Sequence, residues 1–517
     1  MNHLLRQKIS YLAWITFLTF SSIARAEDIY IAQTSQGTGT GSSATTAKAI
    51  SFFNNSGNWS SPKSNGKIGP GDVVHLVGTF TSALIVQDSG TAGKAITIVF
   101  ELNAKISMPA LPTSGAIVVN AKHYITVDGG SNGLIESTDN GTNLGNKVDS
   151  TAIAANDANY LTVKNLTIRN VYVRVAGPEQ NGYGSAIQQI GTWTDWTVQN
   201  CNITHCYIAG NGRYTGTCAN AVWANNTVTY CNWGFRAGDA NSSSRLTGVT
   251  AYGNNISKFA NWDDTVNNSF HHNGFYCWAE SGGVLRSLTF YNNTLGPTWG
   301  VHTTGGIFLS GDFGTVLVNN NLFLATTGAD DAPSNGLLTI WPHHGAGTGY
   351  RVYNNTFIGG GVGRAIHLIE GNGKSLTTFD IKNNIVVNMG TMVAQFVSGS
   401  ASLVADYNVG YDLTAGQEFS VSSNTSAGFL TFSNWKLLGL DANGSTSDPK
   451  LDTSYHPQVS STTVLNKGVN LSGFFNTDKD SAGRPSTGLW TVGAYQGPTA
   501  SGYGIPPSNA LITVTLP

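Results

Sequence analysis

A short element, β-forming residues followed by Asn-Asn and then another apolar residue, keeps returning along this chain. It reads VKNLTI at 163–168, VQNCNI at 198–203, WANNTV at 223–228, YGNNI at 252–256, YNNTL at 291–295, VNNNLF at 318–323, VYNNTF at 352–357, IKNNIV at 381–386 and DYNV at 406–409. With the leading corner position taken at 165, 200, 225, 253, 292, 319, 354, 382 and 406, the steps are 35, 25, 28, 39, 27, 35, 28 and 24. Fixed elements joined by variable connections are the mark of a stacked coil, and such a repeat decides the fold before any local reading. Asparagine suits the corner because it tolerates left-handed backbone angles, and its side chains can hydrogen-bond from one coil to the next.

Most coils carry a second short strand: GFRAGD (234–239), GFYCWAE (274–280), GIFLSGD (306–312), GLLTIWP (336–342) and AIHLIEG (365–371). Each begins with a small residue and then alternates in the manner of a strand, with no competing helical period. The expected fold is all-β, a right-handed parallel β-helix whose coils bury their inward residues against their neighbours. A sandwich would need hairpin turns at short regular spacing, and a propeller would need blades of even length. VVHLVGTF (73–80), ALIVQ (83–87), AITIVFE (95–101), AIVVNA (116–121) and HYITVDGG (123–130) read as the opening coils, with 27–70 as the N-terminal cover. The solenoid with that cover is expected over 27–430, and a C-terminal cap and tail over 431–517.

Residues 1–26 read as a secretion signal: Arg6 and Lys8, an apolar run from Ile9 to Ile23, then Ala24-Arg25-Ala26 before a cut at Glu27. No later stretch is apolar for long enough to span a bilayer, so the mature chain is expected to be exported, extracellular or periplasmic, and monomeric. Lys and Arg number 27 and Asp and Glu 29, a formal balance of −2, which argues against nucleic acid because phosphate binding needs a dense basic face. The 62 glycines and 50 asparagines accompany 22 Phe, 19 Tyr and 12 Trp, enough apolar surface to exclude global disorder. Cys201, Cys206, Cys218, Cys231 and Cys277 are an odd, clustered set, from which one or two local disulfides are expected.

These features resemble the large group of secreted pectate-lyase-like β-helix proteins. GDVVHLVGTFTSALIVQDSGTAGKAITIVFE (71–101) is similar to the first coils of many of them. DKDSAGRPSTGLWTVGAYQ (478–496) is similar to their C-terminal closure, with Val492 and Gln496 where acidic residues are usual. The resemblance implies a β-helix that binds or cleaves polysaccharide as a lyase, hydrolase or epimerase. Asp263-Asp264 is similar to the paired aspartates of polygalacturonases, but that family's Gly-His-Gly and Arg-Ile-Lys signatures are absent. No family site residue is carried over.

Candidate chemistry is placed by coil registration. Ten positions beyond the Asn element lie Asp263 and, one coil on, His302; His271 and His272 stand three and two residues before Gly274. Asp263, Asp264, His271, His272 and His302 would meet at one edge, an arrangement suited to general acid–base work, or they decorate a polar loop. Asp239, Glu280, Asp312 and Glu370 follow the second strands, where a column of carboxylates would hold Ca²⁺ or supply a hydrolytic pair, or would serve as ordinary Gly-Asp turns. Alternation puts Phe235, Phe275, Ile307, Leu337 and Ile366 inside and Arg236, Tyr276, Phe308, Leu338 and His367 outside, with Trp278 also outward. Such a stripe suits sugar rings, with Arg236 and Arg213 for a uronate carboxylate, unless outer loops pack over it. His343-His344 read as a metal pair or a solvated turn.

Three functions follow. The first is a lyase cleaving a uronic-acid polymer by β-elimination, with His271 or His272 as base and Arg236, Arg213 or Ca²⁺ neutralising the carboxylate. The second is a glycoside hydrolase using two carboxylates from Asp263, Asp264, Glu280 and Asp312. The third is a non-catalytic glycan-binding or surface protein.

Overall fold

The computed structural model describes residues 25–140, 145–146, 148–171, 184–239, 245–259, 272–279, 284–300, 303–311, 313–325, 335–341, 349–369, 379–396, 403–423 and 426–497, with the backbone alone for 239, 395–396, 422–423 and 426–427. Of the expected signal segment 1–26, residues 1–24 lie outside them. No helix of the described residues is long and apolar enough to cross a membrane.

A coil runs from a strand of the first sheet, such as Val249–Tyr252, through a two-residue corner to one of the second, Asn255–Ser257, and on to the third, Asn273–Ala279. The described strands stack into sheets of 15, 12 and 13 members. Successive coils pair in parallel throughout, and a crossover from one parallel strand to the next takes the right-handed sense. The chain is a right-handed parallel β-helix with capped ends, as the repeat predicts.

The Asn pair makes the corner by dividing two tasks. Its first residue takes a left-handed conformation, at Asn165, Asn200, Asn225, Gly253, Asn292, Asn320, Asn354, Asn383 and Tyr407. Three of these sit one residue beyond the sequence registration, which used 319, 382 and 406. In VNNNLF the first asparagine is still strand, and in IKNNIV and DYNV the counted residue ends the strand. The second residue turns inward. Asn226, Asn254, Asn293, Asn321, Asn355, Asn384 and Asn408 are all buried. Each Oδ1 accepts both the backbone N–H and, where the previous coil has a rung, the Nδ2–H of its counterpart, as in Asn293 N and Nδ2 to Asn321 Oδ1 at 2.9 and 3.1 Å. The ladder starts at Cys201 N–H, which donates to Asn226, and ends on Asp441, whose Oδ1 accepts from Asn408 N and Nδ2. Burial pushes the Asp441 carboxyl up to about 6 although Trp435 Nε1 also donates to it.

Inside the third sheet one apolar column runs Ile187, Gly210, Phe235, Phe275, Ile307, Leu338, Ile366, Val393 and Phe419. Leu338 is therefore inward, not outward, and Thr339 takes its place on the outer face. The sequence registration aligned strands by their leading glycine; in the structure Gly336 pairs with Gly305, not Gly306, which shifts that strand by one residue and brings Leu338 into the interior core beside Leu337, which is inside as expected.

Both ends are covered. At the N-terminus Asp28–Ala32 joins the first sheet beside Val73–Val77, so part of the expected cover is itself a strand, while the helix Ile50–Phe53 buries Ile50 and Phe53. At the C-terminus Phe419–Ser423 and Ser426–Leu430 form an antiparallel pair that ends the third sheet. Thr431 caps the helix Phe432–Leu437, which stacks Trp435 on Phe419 at 4.2 Å. The segment beyond folds back along the corner, where the outward first asparagines hold it: Asn383 bonds Val469, Asn354 bonds Thr491 and Gly493, and Asn320 bonds Thr477. Arg484 is buried there, its guanidinium donating to Asn320 Oδ1, to the carbonyls of Thr491, Gly493 and Ala494, and to Gln496 Oε1. Gln496 thus serves Arg484 as a neutral acceptor, and Val492 packs with Ile385, Val409 and Val464.

The expected disulfides are absent: the five cysteines are buried thiols with no bridge among them. They are interior packing residues, and burial pushes the Cys201 thiol up to about 12.

Candidate functional site

The outer face of the third sheet gathers the chemistry. Parallel pairing stacks Gln188, Asn211, Arg236, Tyr276, Phe308, Thr339 and His367 in one column. A second column, two residues along each strand and hence on the same face, holds Arg213, Gly238, Trp278, Ser310 and Trp341. Tyr207, Ile208, Trp233, Tyr276 and Phe308, flanked by Trp278 and Trp341, form an apolar cluster separate from the interior core.

Arg236 sits inside this cluster, 9% exposed. Its guanidinium carbon lies 5.1 Å from the ring centre of Trp233 and 5.6 Å from that of Trp278, and its Nε donates to Asn211 Oδ1 at 2.8 Å. Two indoles and an amide therefore fix the plane of the cation, which matters because guanidinium recognises carboxylate through a rigid fork. Tyr276 stacks on Trp278 at 5.1 Å and meets Trp233 edge-on at 5.2 Å; Phe308 continues the row to Trp341 at 6.0 Å. Gly238 permits the stack. A Cβ there would run into the six-membered ring of Trp278, which lies across the glycine. Gly238→Ala is expected to displace Trp278, break its stack on Tyr276 and lower stability by about 1–3 kcal/mol, the cost of overpacking; a denaturant curve checks this.

The sequence-derived residues divide as follows. Arg236, Tyr276, Trp278 and Phe308 come together, and exposed Arg213 shares their face one coil earlier. His367 shares the column but lies four coils from Arg236, about 19 Å at the spacing of neighbouring strands. His272 is fully buried at the head of Asn273–Ala279, its N–H donating to Thr304 Oγ1. Asp263, Asp264, His271, His302, Glu280, Asp312, Glu370, His343 and His344 lie outside the described residues. The backbone of Asp239 pairs with Ala279 at the end of its strand. Among the described residues no group of three or more His, Cys, Asp or Glu side chains is arranged to hold a metal.

Asn211, Trp233, Gly238 and Trp341 were not singled out from sequence. Trp233 precedes the glycine at which the strand was taken to begin, and Trp341 falls in the strand whose register slipped. Asn211 and Gly238 carry no signal except their coil neighbours.

Burial, together with the Arg364 cation beside it, pulls the His367 imidazole down to about 4. A histidine whose folded value is depressed stays neutral while the unfolded chain takes up a proton, so its contribution holds above about pH 6.5 and is lost as pH falls toward 4. From pH 6.5 to 5 the loss is expected to be about 2 kcal/mol. Asp441 titrates in the opposite sense, so the measurement is the difference between the wild type and His367→Gln across that range. Parallel curves would contradict a buried neutral imidazole.

No protein-family model matches the chain, and no curated protein is similar to it. Solved structures are. A GH136 lacto-N-biosidase from Eubacterium ramulus is 13% identical over 77% of this chain and 68% of its own, with a TM-score of 0.36. XylC in complex with xylose is 10% identical over 91% and 98%, TM-score 0.41. The pectate lyase Pel9A is 14% identical over 92% and 98%, TM-score 0.34.

Proposed function

We propose that this protein binds and cleaves a uronic-acid-containing polysaccharide along the outer face of its third sheet, as a lyase acting by β-elimination. The observation that carries the reading is the environment of Arg236: a cation oriented by Asn211 and held between Trp233 and Trp278. Aromatic faces suit the apolar faces of sugar rings, and a guanidinium fixed among them suits a carboxylate on one of those rings. Elimination requires that this carboxylate be neutralised before the proton beside it is acidic enough to remove. Arg236 takes that role, and Arg213 adds charge one coil earlier. The base is drawn from His271, His272, Asp263, Asp264 and His302, to be assigned by single substitutions. Any calcium requirement belongs to Asp239, Glu280 and Asp312, with chelation as its test.

The deciding experiment is a panel of alginate, pectate, glycosaminoglycan and neutral polysaccharides, assayed for unsaturated ends and for reducing ends, with and without chelator. The lyase reading expects ultraviolet absorbance from unsaturated ends on at least one uronate polymer. Reducing ends without unsaturation would replace it with hydrolysis, and binding without either product would make the face a glycan-recognition surface.

A further inference from the structure

Asp72 is fully buried where the first coil meets the N-terminal strand. Its Oδ2 accepts from Gly69 N at 2.8 Å and pairs with Lys63 Nζ at 2.8 Å; its Oδ1 accepts from the backbone nitrogen of Glu27 at 2.8 Å. Glu27 is held by contacts that owe nothing to the residues before it. Its carboxylate pairs with Lys63 at 2.7 Å, and its carbonyl accepts from Val73 N at 3.0 Å. Arg25 and Ala26, by contrast, are exposed. The charges are unbalanced: Lys63 supplies +1 against −1 each from Asp72 and Glu27, a net −1 with the Asp72 carboxylate and Lys63 nearly closed to water.

We propose that cleavage between Ala26 and Glu27 is a structural maturation step, in which the new α-ammonium of Glu27 becomes a buried ion-pair partner of Asp72. A leader-removing protease adds water across the Ala26–Glu27 amide. The hydroxyl goes to the Ala26 carbonyl carbon, and the nitrogen of Glu27 takes the hydrogen and one further proton from solvent. That nitrogen is already at hydrogen-bond distance from Asp72, so nothing has to move. The cluster becomes neutral, two cations against two anions, and an amide hydrogen bond becomes a charge-assisted one in a site shielded from water. The other charged groups nearby are Lys94, beside Gly71, and the Asp28–His75–Glu101 group on the outer face of the first sheet. A chain with even one extra residue at its start keeps the amide and loses the charge.

The test compares full-length mature chains starting at Glu27 and at Ala26, each with and without Asp72→Asn. The Glu27 start is expected to melt roughly 1–3 °C higher, and the two starts to melt together once Asp72 is replaced. Should Asp72→Asn fail to fold, acylation of the α-amine in the native protein gives the answer instead. The Glu27 amine is expected to react at least tenfold more slowly than the Ala26 amine. Equal melting temperatures in the wild-type background, equal acylation rates, or an exported protein whose first residue is not Glu27 would each overturn the proposal.

Discussion

Asn321→Leu is expected to destabilise the protein by about 4 kcal/mol, the sum of two or three buried polar groups left without partners. Leucine keeps the branching of asparagine at Cγ but is bulkier, so overpacking adds to the lost hydrogen bonds. Asn293 N–H loses its acceptor, Asn293 Nδ2 one of its acceptors, and Phe290 and Asn319 carbonyls lose a donor, all of it in the buried corner. Because every rung accepts from the coil before it, a gap in mid-ladder separates the halves of the stack. Asp441→Asn is the contrasting change. It retains an oxygen where Asn408 donates but turns an NH2 toward the buried Trp435 Nε1–H, and it removes a carboxyl that burial holds near 6, so it is expected to cost only about 1–2 kcal/mol at neutral pH. Denaturant unfolding of the two variants beside the wild type makes the comparison. If Asn321→Leu proved as mild as Asp441→Asn, the ladder would be ornament and interior packing alone would hold the coils together.

Arg236→Met is expected to lower activity on a uronate polymer on the order of 100- to 1000-fold, the cost of leaving a buried carboxylate without its cation. Methionine keeps an unbranched apolar stem between Trp233 and Trp278, so the aromatic row is expected to survive, and binding of a neutral glycan is expected to change less than threefold. Arg236→Lys separates charge from geometry. Lysine restores the charge but has neither the planar fork nor the donor that faces Asn211 through Nε, so it is expected to recover only a small part of the loss. Rates on acidic and neutral polymers, measured side by side for the three proteins, check this. An equal fall on both would mean that Arg236 supports the aromatic packing and reads no carboxylate.

The fold was legible because one element performs two conformational tasks in every coil. A left-handed residue and an inward amide leave a signature that survives variation of everything between them, including Gly253 and Tyr407 in the first position. Register was less legible. Small residues mark strand starts only loosely, and treating Gly336 as equivalent to Gly306 put Leu338 outside and hid Trp341 from the outer row. Half of the outer site was visible by alternation alone: Arg236, Tyr276, Trp278 and Phe308. Trp233 and Asn211 escaped because the positions that matter are set by neighbours in space, 25 residues apart along the chain for Asn211 and Arg236. The disulfide expectation failed for a compositional reason. Cysteine is also a small apolar residue, and here it fills the interior in coils where asparagine or valine stands elsewhere.

Calorimetric titration of the wild-type protein with a uronate oligosaccharide, and with the same oligosaccharide after reduction of its carboxyl groups to alcohols, tests the central claim most directly. The two ligands present nearly the same ring faces and differ only in the charge offered to Arg236. The acidic ligand is expected to bind at least tenfold more tightly, and that preference to vanish in Arg236→Met. Equal affinities in the wild type would contradict a carboxylate-reading face on the third sheet.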